Sequence, residues 1–195
     1  MADPSPKWEK QTFKFPDGMD LTSVARPGYN VFIADRGAVA FNYPQGWVIL
    51  PGNDSIKLHD RHPPDDDCVL AVSVMRLPPV KGGWDGLPLE RLVREMVKND
   101  KRGASQLGEV RNEKRADLEL SWAELSFIDP AQLRTARSRC CLARANLVQP
   151  LITMDFWESD GERVGPVWDE VLRSLKVGLE LTKGPPGKGR GAGMN

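Results

Sequence analysis

The feature that most constrains the fold is a long stretch, residues 107–158, in which apolar and polar side chains alternate with a period of two. This period is typical of β-strands with one buried face. The stretch is interrupted only by short turns, at Asp129-Pro130 and Gln149-Pro150. Strands joined by such turns can pair antiparallel, whereas parallel pairing requires a crossover of a dozen or more residues. We therefore expect antiparallel strands near residues 107–115, 118–128, 133–149 and 151–158.

One of these strands has an irregular pattern. Within residues 118–127 the apolar positions change from even to odd numbers after Trp122. The change predicts a β-bulge or a strong local twist in this strand.

Further strands precede this stretch. Val39, Phe41 and Tyr43 share one face of a predicted strand, and Pro44-Gln45-Gly46 follows as a turn into residues 47–50, giving a hairpin-like or kinked pair. Shorter strands are predicted at residues 29–33 and 55–58. Residues 68–77 are apolar at nearly every position, which is typical of a central strand covered on both faces, by two layers or by one layer and a long loop.

Two amphipathic helices complete the pattern. The first begins near Pro88 and has apolar residues at i, i+3, i+4 and i+7, and the second follows Asp160-Gly161. Their apolar stripes are Leu89, Leu92, Val93 and Met96, and then Val164, Trp168, Val171, Leu172 and Leu175. The order of strands, helix, strands and helix predicts an α+β domain with a twisted antiparallel sheet of six to eight strands and two main helices.

The domain boundaries follow from composition. A chain of 195 residues is close to the size of one domain. Both ends have too little apolar content to offset the entropy of ordering. We expect a flexible N-terminal tail at 1–12, a single α+β domain at 13–181 and a disordered Gly/Pro-rich tail at 182–195.

The balance of charge excludes some partners. Lysine plus arginine and aspartate plus glutamate each number 27, so the net charge is zero and no long-range attraction to nucleic acid or anionic membranes is expected. No apolar run resembles a signal peptide or a membrane span. The cysteine count of three is odd, which disfavours a disulfide framework. These features predict a cytoplasmic protein that contacts neither nucleic acid nor membrane.

Two sequence motifs resemble a known family. Residues Phe41-Asn42-Tyr43-Pro44-Gln45-Gly46-Trp47 resemble the entry strand of PsbP-like domains, which share their fold with the eukaryotic Ran-release factor. The apolar strand Leu151–Trp157 and the helix with Val167-Trp168-Asp169-Glu170-Val171-Leu172-Arg173-Ser174-Leu175 are similar to the end of those domains. The resemblance implies an α/β/α sandwich and a non-catalytic role in assembly or protein binding, with no catalytic residues and no cofactor.

A polar segment, residues 58–68, contains the only two histidines of the chain together with several carboxylates. His59, His62, Asp65, Asp66 and Asp67 include the ligand types that divalent metals use. They define an alternative function, a small metal-dependent hydrolase. However, Pro63-Pro64 keeps the segment extended, and a solvated loop between two strands explains the same composition.

Three residues are candidates for contact with a protein partner. Trp84 lies in a glycine-rich loop, and tryptophan is enriched at interfaces, although it could equally cover the core. Arg137 and Arg139 share one face of a predicted strand, opposite to Arg134 and Arg144. A solvent-facing strand would explain these arginines as well. The leading hypothesis is a protein-binding module whose partner the sequence does not identify, and a site for a small apolar ligand is a further alternative.

Overall fold

The structure is a computed structural model, which describes residues 13–14, 25–52, 54–84, 87–115, 117–179 and 182–183. Strands β1 (Phe13–Lys14) and β13 (Thr182–Lys183) pair antiparallel, so this pairing extends two residues into the predicted C-terminal tail. The remainder of both predicted tails lies outside the described residues.

In the part of the chain that the structure describes, the main sheet has eight strands, and all of their pairings are antiparallel. The order is β4-β5-β6-β11-β10-β9-β7, and β8 also pairs with β9. This confirms the predicted strand number and direction. The turn predicted at Gln149-Pro150 is wrong, because Gln149 pairs with Met75 and Pro150 pairs with Val74 inside a strand. The strands are β4 (Val48–Pro51), β5 (Ile56–His59), β6 (Cys68–Arg76), β7 (Gln106–Leu107), β8 (Arg111–Lys114), β9 (Glu119–Asp129), β10 (Arg134–Arg144) and β11 (Val148–Trp157).

A second sheet of three strands has the order β12-β3-β2. It contains β2 (Tyr29–Ala34), β3 (Val39–Pro44) and β12 (Lys176–Val177). The turn after β3 carries the chain from this sheet into the main sheet. Because β3 and β4 pair with different partners, they are a kinked pair and not a hairpin. Gly46 has a φ of 88° in this turn, a conformation that glycine adopts without strain.

Helices α1 (Leu89–Lys98) and α2 (Gly161–Ser174) lie on opposite faces of the main sheet. On β9, Leu125 belongs to the hydrophobic cluster under α1, whereas Leu120 belongs to the cluster under α2. Positions of opposite parity on a strand face opposite sides of a sheet. The helices and sheet therefore form the predicted α/β/α sandwich within a single α+β domain.

This arrangement also explains the change of pattern in β9. Its pairing with β10 is continuous from Glu119 to Asp129, so the prediction of a bulge inside β9 is wrong. The parity changes because α2 covers the even positions of its first half and α1 covers the odd positions of its second half. The register instead shifts by one residue along the edge, between β7 and β8. Gly108 lies at this shift and donates its N–H to the carbonyl of Glu124 at 2.7 Å.

The two PsbP-like motifs contact each other. The side-chain amide of Asn42 donates to Glu170 Oε1 at 2.7 Å, and the Asn42 backbone N–H donates to Ser174 Oγ at 2.8 Å. Hydrogen bonds from Arg173 hold the pKa of the Glu170 carboxyl below its ordinary value. These bonds join α2 to the second sheet and give the motifs a structural role.

Candidate binding surface

Helix α1 covers only part of its face of the main sheet. It packs on β9 and β10, whereas β11, β6, β5 and β4 continue the same face beyond the helix. On β6 the side facing α2 is buried at Cys68, Leu70 and Val72. The opposite side, at Val69 and Ala71, is only half-buried. The apolar pattern of residues 68–77 predicted full cover of both faces, and this side is covered incompletely.

A groove of about 680 Å³ lies where α1 meets the strands that this helix does not cover. Its walls are mostly apolar, and Met75 at its rim is 57% exposed. Four polar residues, Ser73, Glu95, Asn99 and Gln149, also line it. The apolar lining residues are Val74, Met75, Leu92, Met96, Leu142 and Leu151. Methionines at such a site adapt to ligands of different shape, because the thioether chain is flexible.

One flank of α1 forms a wall of the groove. Leu92, Glu95, Met96 and Asn99 recur at i, i+3, i+4 and i+7, so they lie on the same side of the helix. Glu95 is exposed, and among the described residues it is the one charged residue in the groove lining. Glu90 lies on the other flank, where Asn112 of β8 donates to it at 2.9 Å.

The position of α1 is fixed by Arg144, which is 6% exposed. Its Nη1 donates to the carbonyls of Trp84 and Leu87 at 3.0 and 3.1 Å, in the segment that leads into α1. Nε and Nη2 donate to Gln149 Oε1, and Nη1 also contacts Glu119 Oε1 at 3.1 Å. Arg144 therefore ties the start of α1 to the sheet. The strand pattern predicted a solvent-facing Arg144, and its burial contradicts that prediction.

Trp84 is half-buried at the end of its loop. Its indole Nε1–H donates to the carbonyl of Pro78 at 3.0 Å, while its own carbonyl accepts from Arg144. The side chain is therefore held by its own loop, and the residue lies close to the entry of α1.

Arg137 and Arg139 lie together on the α2 face, and both bind Glu124 at 2.7 Å. Arg137 also donates to Glu158 at 2.7 Å. Burial raises the pKa of Glu124, but the hydrogen bonds and charges of the two arginines outweigh it and hold the pKa below its ordinary value. The Arg139 guanidinium also lies over the ring of Phe156, 5.2 Å from its centroid. These arginines stabilise the sheet surface through intramolecular contacts.

The residues of the histidine loop bind different partners. His59 Nδ1 lies 2.9 Å from Asp66 Oδ2, whereas the His62 Nδ1–H donates to the carbonyl of Pro63 at 2.8 Å. Asp67 pairs with Arg61, and the backbone N–H of Asp65 donates to the carbonyl of His62. Within the described ranges, no three His, Cys, Asp or Glu side chains are grouped so that they could hold a metal ion.

Comparison with solved structures defines the class of the fold. The chain is similar to cyanobacterial PsbP (CyanoP) from Synechocystis sp. PCC 6803, with a TM-score of 0.56 and 14% identity over 84% of this chain and 100% of the other. It is also similar to the Ran-binding protein Mog1p of Saccharomyces cerevisiae, with a TM-score of 0.50 and 10% identity over 76% of this chain and 95% of the other. The chain thus has the PsbP-like fold that the sequence motifs predicted.

Sequence comparison defines the family more closely. The chain is 42% identical over 176 residues to the uncharacterized protein alr1449 of Nostoc sp., with 90% of each chain covered. Residues 30–181 match the Alr1449 family, and the chain belongs to this family. In the part of the chain that the structure describes, no helix is long and apolar enough to cross a membrane.

Proposed function

We propose that this protein is a non-catalytic module that binds a protein partner through the groove beside α1. The observation that carries the proposal is the mismatch on β6. Its sequence is apolar at nearly every position of both faces, yet the side next to α1 is only half-buried and ends at the exposed Met75. Exposed apolar surface that borders a groove is typical of interaction sites.

The fold supports the same class of function. Mog1p is a Ran-binding protein with this architecture, although fold similarity at 10% identity does not transfer its partner. A cytoplasmic location of the present chain remains a prediction.

Trp84, Arg137 and Arg139 are further proposed contacts with the partner, outside the groove. All three make intramolecular hydrogen bonds that a partner would have to replace or leave intact. Trp84→Ala and Arg139→Glu test them in the same assay as the groove.

The experiment is a pull-down with the full-length protein, followed by identification of the partners by mass spectrometry. Met75→Glu places a charge at the groove, and Ile128→Glu is the matched control, because Ile128 is 59% exposed and Met75 57%. We expect a partner that binds the wild type and Ile128→Glu but not Met75→Glu. Identical partners for all three proteins would refute the groove as the contact surface.

A second candidate function, binding of a small apolar ligand, is favoured by the volume and lining of the same groove. Native mass spectrometry of protein purified from its host distinguishes the two. A bound small molecule that Met75→Glu removes would support the ligand.

A further inference from the structure

We infer that the groove is the seat of an amphipathic α-helix, supplied by the partner, that carries a basic residue beside its apolar stripe. This inference rests on the proposed function and specifies its partner. It would complete the layer that α1 begins.

The spacing of the sheet fits one additional helix. Packed helices lie about 8–10 Å apart, and neighbouring strands lie about 4.8 Å apart, so adjacent helices are separated by roughly two strands. Helix α1 lies over β9 and β10. In the order β9-β10-β11-β6, a neighbouring helix would lie over β11 and β6, which contribute Leu151 and Ser73 to the groove.

The flank of α1 is suited to such a neighbour. Leu92 and Met96 present apolar side chains at i and i+4, the spacing that interdigitates with the side chains of a second helix. Both are only half-buried, so part of their apolar surface is accessible from the groove. An apolar stripe on the partner would remove this surface from water.

The negative charge in the groove favours a positively charged residue on the partner helix. Of the described residues that line the groove, Glu95 alone is charged. It lies between the apolar residues of the stripe, so a lysine or arginine at the edge of the partner's apolar face would meet it. An acidic residue at the same place would be repelled.

The first test uses fluorescein-labelled synthetic peptides and anisotropy with the full-length protein. One peptide has a leucine stripe flanked by lysine, the second has glutamate in place of lysine, and the third has the composition of the first with the stripe scrambled. We expect the lysine peptide to bind at least about tenfold more tightly than either of the others. Equal binding of the lysine and scrambled peptides would overturn the inference.

Variants locate the binding. We expect Met75→Glu to weaken binding of the lysine peptide at least about tenfold, and Ile128→Glu to leave its affinity unchanged. Glu95→Arg should reverse the preference between the lysine and glutamate peptides, whereas Glu109→Arg, at an exposed position outside the groove, should not. Circular dichroism verifies that each variant is folded. Peptide binding that is insensitive to Met75→Glu would contradict the inference.

A second test replaces Met75 with a photo-cross-linking amino acid in the full-length protein and maps the cross-linked segment in a host extract. A cross-link to a basic amphipathic helix of another protein supports the inference. A cross-link to residues 1–24 of the same chain, to a second copy, or to an extended segment overturns it. In the last case the proposed function stands, because the partner is a protein, whereas the absence of any groove-dependent protein partner refutes both.

Discussion

Replacement of Arg144 by methionine should destabilise the protein more than the same replacement of an exposed arginine. The change removes a buried guanidinium while keeping most of the apolar length of the side chain. The carbonyls of Trp84 and Leu87 and the side-chain carbonyl of Gln149 each lose a charged donor. Glu119 also loses its ion-pair partner, although its side chain is 37% exposed and water replaces much of that interaction.

The magnitude follows from these contacts. A hydrogen bond to a charged group contributes about 1.5–3 kcal/mol, and the bonds of one side chain do not add independently. Removal of the guanidinium also relieves the cost of its desolvation. We expect a net loss of about 2–4 kcal/mol in the free energy of unfolding, which corresponds to a decrease in Tm of roughly 5–15 °C for a domain of this size.

Equilibrium unfolding in urea, followed by tryptophan fluorescence, measures this loss. The matched control is Arg134→Met, on the same strand and the same face, whose arginine is exposed and donates to Ser159. We expect the control to change stability by less than about 1 kcal/mol. If the two variants were equally stable, or if Arg144→Met stayed within about 0.5 kcal/mol of the wild type, the anchoring role of Arg144 would be refuted.

Three further predictions concern pH, backbone packing and thiol reactivity. Hydrogen bonds from Arg173 lower the pKa of Glu170, so the contribution of its carboxylate to stability is complete above about pH 4.3 and is lost as the pH falls through the folded-state pKa. When the free energy of unfolding is measured against pH, Glu170→Gln should therefore lose less stability on acidification than the wild type does. Gly108→Ala should destabilise the protein by about 1–3 kcal/mol in urea titrations, because a Cβ at this position would lie 2.8 Å from the backbone carbonyl oxygen of Glu124. Gly165→Ala in α2 is the control and should stabilise the protein by roughly 0.5–1 kcal/mol, because a Cβ there would have no atom within 4 Å. Burial raises the pKa of the Cys140 thiol to about 11, and all three cysteines are buried, so a thiol reagent should label them only as fast as the protein unfolds; rapid labelling under native conditions would contradict this.

Local patterns predicted the architecture well, for physical reasons. The stripe of α2 and the alternation around β10 and β11 report directly on which side chains are buried, since periodicity depends on the element itself. The motif at residues 41–47 predicted the fold, and the structure supplies the reason for part of it, because Asn42 binds α2.

The binding surface was less accessible to sequence reasoning. Composition and strand pattern predict Trp84, Arg137 and Arg139 at a surface, but they do not predict the hydrogen-bond partners of these residues, which are distant in sequence or lie in the same loop. Arg144 reaches the Trp84 carbonyl across 60 positions of the chain. The groove depends on how far α1 extends across the sheet, and a strand pattern does not encode the width of the layer above it.

The shared use of β9 has a consequence for how the protein melts. This strand contributes to both hydrophobic clusters, one on each side, and so does β10. Separation of these two strands would expose both clusters to water at once. Neither helix can therefore stay packed on the sheet after the other has lost its cluster. On heating, the two clusters and the helices that cover them should therefore unfold in a single cooperative transition.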